Sequence, residues 1–300
     1  MYQEFGEVLE HVSLKKYNTY GIGGKAKYIV FPSSIENLHK LILKLRTDNT
    51  KFYVIGNGSN IILPDEDFDG VIIILKKIKD ILIEKDTVKI SAGIMMPYLN
   101  NYLLKKGYGN FVWACGLPGT IGGSIIGNAG CFKNEAQDNL LSIEVIDDSN
   151  KIVSKKKEEI NFSYRKSDIK GIIISATYKL VKNNEDVEKS IEILNKKRMD
   201  TQPFDKKTAG SVFRNPEGFA AGKLIEDAGL KKHQIGGAVV SEKHANFIYN
   251  NGTATSKDIL DLIEYIKKVI KEKYNIDLIL EQKVVKWDWY EKTKGSKKEN

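Results

Sequence analysis

Between Ala114 and Phe132 the chain reads A-C-G-L-P-G-T-I-G-G-S-I-I-G-N-A-G-C-F. Gly116, Gly119, Gly122, Gly123, Gly127 and Gly130 surround Pro118 and Thr120 there. A backbone so poor in side chains can enter left-handed conformations and lets a ligand come close to its N–H groups. A second loop, Gly56-Asn57-Gly58-Ser59-Asn60, follows the apolar run Phe52 to Ile55, which reads as a short strand. Two such loops can grip one pyrophosphate. Neither matches the fingerprint G-x-G-x-x-G or the phosphate loop ending in Gly-Lys-Ser/Thr. Either one alone reads equally as a tight crossover between elements.

A chain of 300 residues with 41% hydrophobic content can bury a substantial core and would divide into two or three domains. No apolar run reaches the roughly 18 residues of a membrane span, and the opening M-Y-Q-E-F-G-E lacks the basic and apolar regions of a signal peptide. The expectation is a cytoplasmic protein without a membrane partner. Cys115 and Cys131 have neither disulfide-framework nor zinc spacing and are expected to be buried small apolar residues. His11, His39, His233 and His244 lack ligand spacing, so no metal is expected and His244 reads as structural. The net charge of +8 favours an anionic partner. The lysines lie as scattered Lys-Lys pairs or in the tail Lys292 to Lys298, without interleaved aromatics. That pattern reads as a solvated surface or as contacts to a phosphate-rich small substrate, and no nucleic-acid partner is expected.

Tyr28 to Phe31 reads as a strand, and Ser33 or Ser34 can cap a helix over Ile35, Leu38, Leu41, Ile42 and Leu45. Strands are expected at Val71 to Leu75, Thr87 to Ala92, Ser142 to Ile146, Ile152 to Ser154 and Gly171 to Leu180. Helices are expected over Pro97 to Gly107 and over about Asp186 to Met199, the second broken by Thr201-Gln202-Pro203. Thr255 and Asp258 form a capping box before the face Ile259, Leu262, Ile263, Ile266, Val269 and Ile270, with Glu264 placed to pair with Lys268. A final strand is expected over Leu278 to Val285.

The order of the two loops resembles the FAD-binding domain of the vanillyl-alcohol-oxidase type. Within that group the chain resembles the UDP-N-acetylenolpyruvoylglucosamine reductase (MurB) family. The opening Asn18-Thr19 with Gly23-Gly24 resembles the family's N-T-x-x-x-G-G-x-A, and Phe162-Ser163-Tyr164-Arg165-Lys166-Ser167 its F-x-Y-R-x-S. Ala209-Gly210-Ser211-Val212-Phe213-Arg214-Asn215-Pro216 resembles A-G-S-x-F-K-N-P, and Glu281 falls on the glutamate of L-x-x-E. The resemblance runs from about Leu14 to Lys286, and the length resembles the short class that lacks an inserted tyrosine loop. Arg214 stands where a lysine is usual and Lys283 where an arginine is common. Each keeps the charge but not the donor geometry.

The resemblance implies an α+β fold, a two-subdomain FAD-binding fold of the vanillyl-alcohol-oxidase type followed by a C-terminal α+β substrate-binding domain. The expected spans are 1–77 and 78–203 for the two subdomains and 204–300 for the substrate domain, with the chain after about 285 packing back on the first. FAD would contact Ile55, Gly56, Asn57, Gly58, Ser59, Asn60, Gly116, Pro118, Gly119, Thr120, Gly122, Gly123, Asn128, Ala129, Gly130 and Arg165. NADPH would donate hydride to FAD, and a UDP-sugar enolpyruvate would be reduced to the lactyl ether. Arg214, Asn215, Lys223 and Lys283 would bind that substrate, with Lys206 and Lys207 as further candidates for its diphosphate. A monomer is expected.

For catalysis the resemblance implies Arg165, Ser211 and Glu281. Read as residues alone, each stays ambiguous. Arg165 suits a carboxylate or a developing enolate but also a surface ion pair. Ser211 suits a proton donor but also a turn, with no G-x-S-x-G elbow to make it a nucleophile. Glu281 in an apolar strand is costly unless used or paired, and could equally guard a sheet edge. An oxidase of the same superfamily would share the loops but not the G-S-V-F-R-N-P and L-x-x-E segments. A non-catalytic basic module held on RNA is the remaining alternative.

Overall fold

The computed structural model describes residues 1–183 and 186–287. By its internal contacts the chain forms two units, neither contiguous. One comprises Met1–Glu10, Tyr28–Asn57 and Gly70–Lys197; the other comprises His11–Lys27, Gly58–Asp69 and the chain from Arg198 onward. This differs from cutting the chain after 77 and after 203. Residues 11–27 and 58–69 go with the second unit because Tyr20, Ile22 and Ile62 are buried in a core with Val212, Phe213, Ile225 and Leu262.

The first unit carries the greater part of a four-stranded sheet formed by β1 (Gly6–Ser13), β2 (Lys25–Pro32), β3 (Phe52–Ile55) and β4 (Phe68–Ile74), in the order β1-β2-β4-β3. Strands β3 and β4 run parallel, Phe52 opposite Val71 and Ile55 opposite Ile74. Helix α1 (Ile35–Thr47) is capped by the Ser34 hydroxyl, which accepts from Asn37 N–H. It buries Leu38, Leu41, Ile42 and Leu45 in one core with Val30, Val71 and Ile73. Each such side chain contributes about 1.5–3 kcal/mol on full burial.

A second, five-stranded sheet comprises β5 (Ile81–Glu84), β6 (Thr87–Ser91), β7 (Leu140–Ile146), β8 (Ile152–Lys156) and β9 (Ile172–Lys179), in the order β8-β7-β9-β6-β5. All its pairings are antiparallel. Helices α2 (Met96–Leu104) and α3 (Ile121–Ile126) bring Leu99, Leu103, Ile121 and Ile125 to the same core. Strands β1 and β5 are absent from the sequence reading. Both are edge strands with many exposed or half-buried positions, so their apolar residues form no continuous buried face. Cys115 is buried as expected, whereas Cys131 is only half-buried.

Helix α4 (Val187–Thr201) follows β9. In the second unit, β10 (Gln234–Ile235), β11 (Ala238–Val240) and β12 (Ile248–Asn250) form a small antiparallel sheet beside α5 (Ala221–Asp227) and α6 (Ser256–Tyr274). Thr255 and Asp258 make the expected capping box, and α6 ends where Asn275 turns left-handed at φ 56°. The expected Glu264–Lys268 pair does not form, since Glu264 pairs with Lys267 at 2.9 Å and Lys268 lies 3.9 Å from Glu272. These exposed pairs add little either way.

The last expected strand also needs correction. Only Lys283–Val284 is a strand, parallel to Ile61–Ile62, while Leu280 makes an isolated antiparallel bridge to Phe213. The segment changes partner within a few residues, so no long ladder forms. Glu281 therefore does not sit in an apolar strand. Ile279, two residues before it, is 63% exposed, and Leu278 and Gln282 are buried. Trp287 stacks on Phe68 at 4.4 Å and donates to the Glu66 carbonyl, while the basic tail from 288 lies outside the described residues.

Candidate active site

In the first unit the two glycine loops touch. Asn57 Nδ2 donates to the Pro118 carbonyl at 2.8 Å, and a Cβ built on Gly56 would meet Thr120 Oγ1 at 2.6 Å. That oxygen also caps α3 by accepting from Gly123 N–H. Gly122 lies against Ala92, whose Cβ would stand 3.0 Å from one on Gly122. Gly56, Gly116, Pro118 and Gly123 are exposed. Among the described residues, the N–H groups of Gly56, Asn57, Gly116, Gly119 and Thr120 donate to no protein acceptor. Such clustered donors, with no side chains in the way, suit a diphosphate, so these residues fit the FAD expected here.

Asn128 and Arg165 play different parts at the other end of the stretch. Asn128 is fully buried with φ 40°; its Nδ2 donates to Glu135 and to the Ser163 carbonyl, and its Oδ1 accepts from Gln137 N–H. Its amide therefore holds the loop and leaves its expected cofactor contact to the backbone. Arg165 forms, with Tyr164, the tip of the hairpin between Phe162–Ser163 and Lys166–Ser167. It holds φ 57°, a costly conformation for a residue with a side chain. Its Nη2 donates to the Gly130 carbonyl at 2.6 Å, and Nη1 lies 3.9 Å from Glu135.

The rest of the first loop belongs to the second unit. Gly58 holds φ +65°, and a Cβ there would stand 2.5 Å from Asn18 Cα. Thr19 N–H donates to its carbonyl. The Ser59 carbonyl would lie 3.9 Å from a Cβ on Gly210, the residue before Ser211. Asn60 accepts from Lys283 N–H at 3.0 Å.

Around that point the Ser211 segment lies antiparallel to the Glu281 segment. Glu281 N–H donates to the Val212 carbonyl at 2.8 Å and Arg214 N–H to the Ile279 carbonyl at 2.9 Å. Ser211 and Glu281 are both half-buried. Among the described residues the Ser211 hydroxyl has no hydrogen-bond partner, which leaves its proton available to a ligand.

Residues 202–285 match the family described as UDP-N-acetylenolpyruvoylglucosamine reductase, C-terminal domain, and residues 26–155 match the FAD binding domain. A UDP-N-acetylenolpyruvoylglucosamine reductase of Caldanaerobacter subterraneus subsp. tengcongensis is 40% identical over 284 residues, covering 93% of this chain and 94% of that protein. The chain belongs to the UDP-N-acetylenolpyruvoylglucosamine reductase family. A second member, from Clostridium botulinum strain 657, is 39% identical over 282 residues, covering 93% of this chain and 92% of its own. The crystal structure of the Thermus caldophilus reductase (MurB) superposes with a TM-score of 0.78 at 31% identity, covering 93% of this chain and 98% of that one. Berberine bridge enzyme from Eschscholzia californica, at 18% identity and TM-score 0.50 over 61% of this chain and 42% of its own, shares the fold.

Several side chains hold this reductase-family site in ways the motifs do not announce. Asn246 Nδ2 donates to the Phe213 carbonyl at 2.8 Å, its Oδ1 accepts from Phe213 N–H at 2.9 Å, and its own carbonyl accepts from Val212 N–H. Asn18 pins its turn through the Leu14 and Ile22 carbonyls. Their signal is a polar residue inside an apolar or glycine-rich run, visible only once burial is known. His244 accepts from Asn246 N–H through Nδ1, and burial holds its pKa below the usual histidine range. Both the burial and the bond it accepts favour the neutral ring.

The expected substrate residues are differently engaged. Asn215 Oδ1 accepts from Ala221 N–H at the start of α5. Lys223 pairs with Asp227 and Lys206 with Asp205, while Lys207 lies along Gly21 and pairs with no acid among the described residues. Lys283 is exposed overall, yet desolvation of its ammonium lowers its pKa, and the Arg214 charge lowers it further.

Proposed function

We propose that this chain reduces UDP-N-acetylglucosamine enolpyruvate to UDP-N-acetylmuramate for peptidoglycan precursor synthesis, with FAD as bound cofactor and NADPH as reductant. It acts as a cytoplasmic monomer. The observation that carries this reading is the antiparallel pairing of the Ser211 and Glu281 segments in a chain of this family. Gly56 to Asn60 and Gly116 to Gly130 would hold FAD, which when bound would supply the hydride chemistry between NADPH and the vinyl CH2 carbon of the substrate.

Hydride addition alone would leave a negative charge spread into the pyruvyl carboxylate. The Arg165 guanidinium holds that carboxylate and opposes the charge. Glu281 stabilises the enol form. Ser211 gives its hydroxyl proton to the carbon next to the new CH3, which completes the lactyl ether, and regains a proton from solvent. Hydride and proton together account for both electrons and both hydrogens gained. Arg214, Asn215, Lys223 and Lys283 hold the nucleotide portion.

The purified protein is expected to be yellow and to release FAD on denaturation. Beyond the one equivalent that reduces its FAD, it should oxidise NADPH in step with lactyl product and only when the enolpyruvyl nucleotide is present. A colourless protein that takes up no FAD would overturn the reading, and rapid oxygen consumption with a sugar alone would replace it with an oxidase.

A further inference from the structure

Gln282 directly follows Glu281 and is 3% exposed, yet its whole amide is engaged. Nε2 donates to the Ala209 carbonyl at 3.2 Å and to the Gly210 carbonyl at 3.1 Å, and Oε1 accepts from the Tyr20 hydroxyl at 3.0 Å. The two carbonyls belong to the peptide planes on either side of Gly210, which holds φ +76°. Fixing both planes fixes the direction in which the next residue, Ser211, carries its side chain. A left-handed glycine turn has no side chain of its own to do this.

The amide has one workable orientation. Carbonyl oxygens only accept, so Nε2 must face Ala209 and Gly210, and a flipped amide would set Oε1 against two other oxygens. Tyr20, itself fully buried, supplies the hydroxyl that holds Oε1 on the opposite side. Burial raises the Tyr20 pKa well above the usual tyrosine range, so the hydroxyl remains a donor at any working pH. The bonds running from Tyr20 through Gln282 to the turn lie within one unit and end one residue short of Ser211.

We propose that Gln282, held in orientation by Tyr20, is a positioning residue that aims the Ser211 hydroxyl at the carbon it protonates. This rests on the proton-donor reading of Ser211 above. Any residue that merely stabilised the unit would affect both halves of the reaction through folding, whereas an aiming residue affects proton delivery alone.

The test uses the full chain loaded with FAD. Gln282→Leu removes both donors at similar bulk, and bleaching of FAD by NADPH in stopped flow should stay near wild-type. Lactyl product should form about 10²-fold more slowly, and solvent deuterium should enter the lactyl carbon from both faces instead of one. Tyr20→Phe, which keeps the amide and serves if Gln282→Leu does not fold, should slow product by about 3- to 10-fold in the same step. Combining the two leaves no buried hydroxyl unpaired, so Tm should recover above that of Gln282→Leu while one-sided protonation does not.

Recovery of product rate and stereochemistry together with Tm would overturn the proposal, as would equal slowing of both half-reactions. Ser211→Ala is measured alongside. If it abolishes product while the Gln282 and Tyr20 variants react normally, the aiming role alone is wrong. If Ser211→Ala is itself harmless, the proton-donor reading falls and the aiming role falls with it.

Discussion

Gly56 stands so close to Thr120 that a single added methyl would meet the threonine hydroxyl oxygen at 2.6 Å. The hydroxyl cannot move away freely, because it caps α3 through Gly123 N–H. Gly56→Val should therefore push the two loops apart and weaken FAD binding by at least about tenfold. Gly119→Val should do the same by crowding the ligand, with Tm of the FAD-free protein little changed, since Gly119 is not among the left-handed glycines. Gly58→Val should lose both FAD and thermal stability, because φ +65° and the Asn18 contact punish any side chain. FAD titration by fluorescence and thermal melts of the FAD-free variants separate the three. Unchanged affinity in Gly56→Val would remove the loop pair from the cofactor site.

Asn246 serves both the N–H and the carbonyl of Phe213, whose side chain is 1% exposed. Asn246→Ala strands two buried backbone groups and should cost about 2–3 kcal/mol in urea unfolding. A loss within error of zero would mean that water replaces the amide and that the clamp is incidental.

Asn246 also marks the limit of what the sequence discloses. The glycine loops, α1, α6 and strands β2, β3, β4, β6, β7, β8 and β9 were legible because turn chemistry, capping residues and apolar periodicity are local signals. Thr255 with Asp258 announces α6 wherever that helix packs. Strands β1 and β5 were not legible, since an edge strand need not alternate. The segment around Glu281 read as one strand because Leu278, Ile279 and Leu280 are all apolar, but Leu280 bridges Phe213 and Lys283 pairs with Ile61. Residues that act through backbone contacts from distant positions, such as Gln282 on Gly210, leave no local pattern at all.

If Lys283 binds the nucleotide as proposed, substrate binding should depend on pH. The folded pKa of Lys283 is lowered, by desolvation first and by the Arg214 charge second, from an unfolded value of ~10.4. Between the lowered value and ~10.4 the unfolded chain holds more protons than the folded one, so stability rises with pH across that window; below the window the fold carries the cost of a partly desolvated charge. If Lys283 holds the nucleotide as ammonium, KM for the enolpyruvyl nucleotide should rise on the alkaline side at a pH below the ordinary lysine range. Arg214→Gln should shift that limb upward, and Lys283→Arg should abolish it. A limb unmoved by Arg214→Gln would assign the titration to another group.

The central claim is that Ser211 supplies the proton, and stopped flow of Ser211→Ala divided into its two half-reactions tests it most directly. Bleaching of FAD by NADPH needs no such donor and should proceed near the wild-type rate. Formation of lactyl product from the enolpyruvyl nucleotide should slow by about 10²- to 10⁴-fold, with Ser211→Cys retaining part of the rate because a thiol can also donate. Unchanged product formation in Ser211→Ala, or equal loss in both halves, would contradict the account.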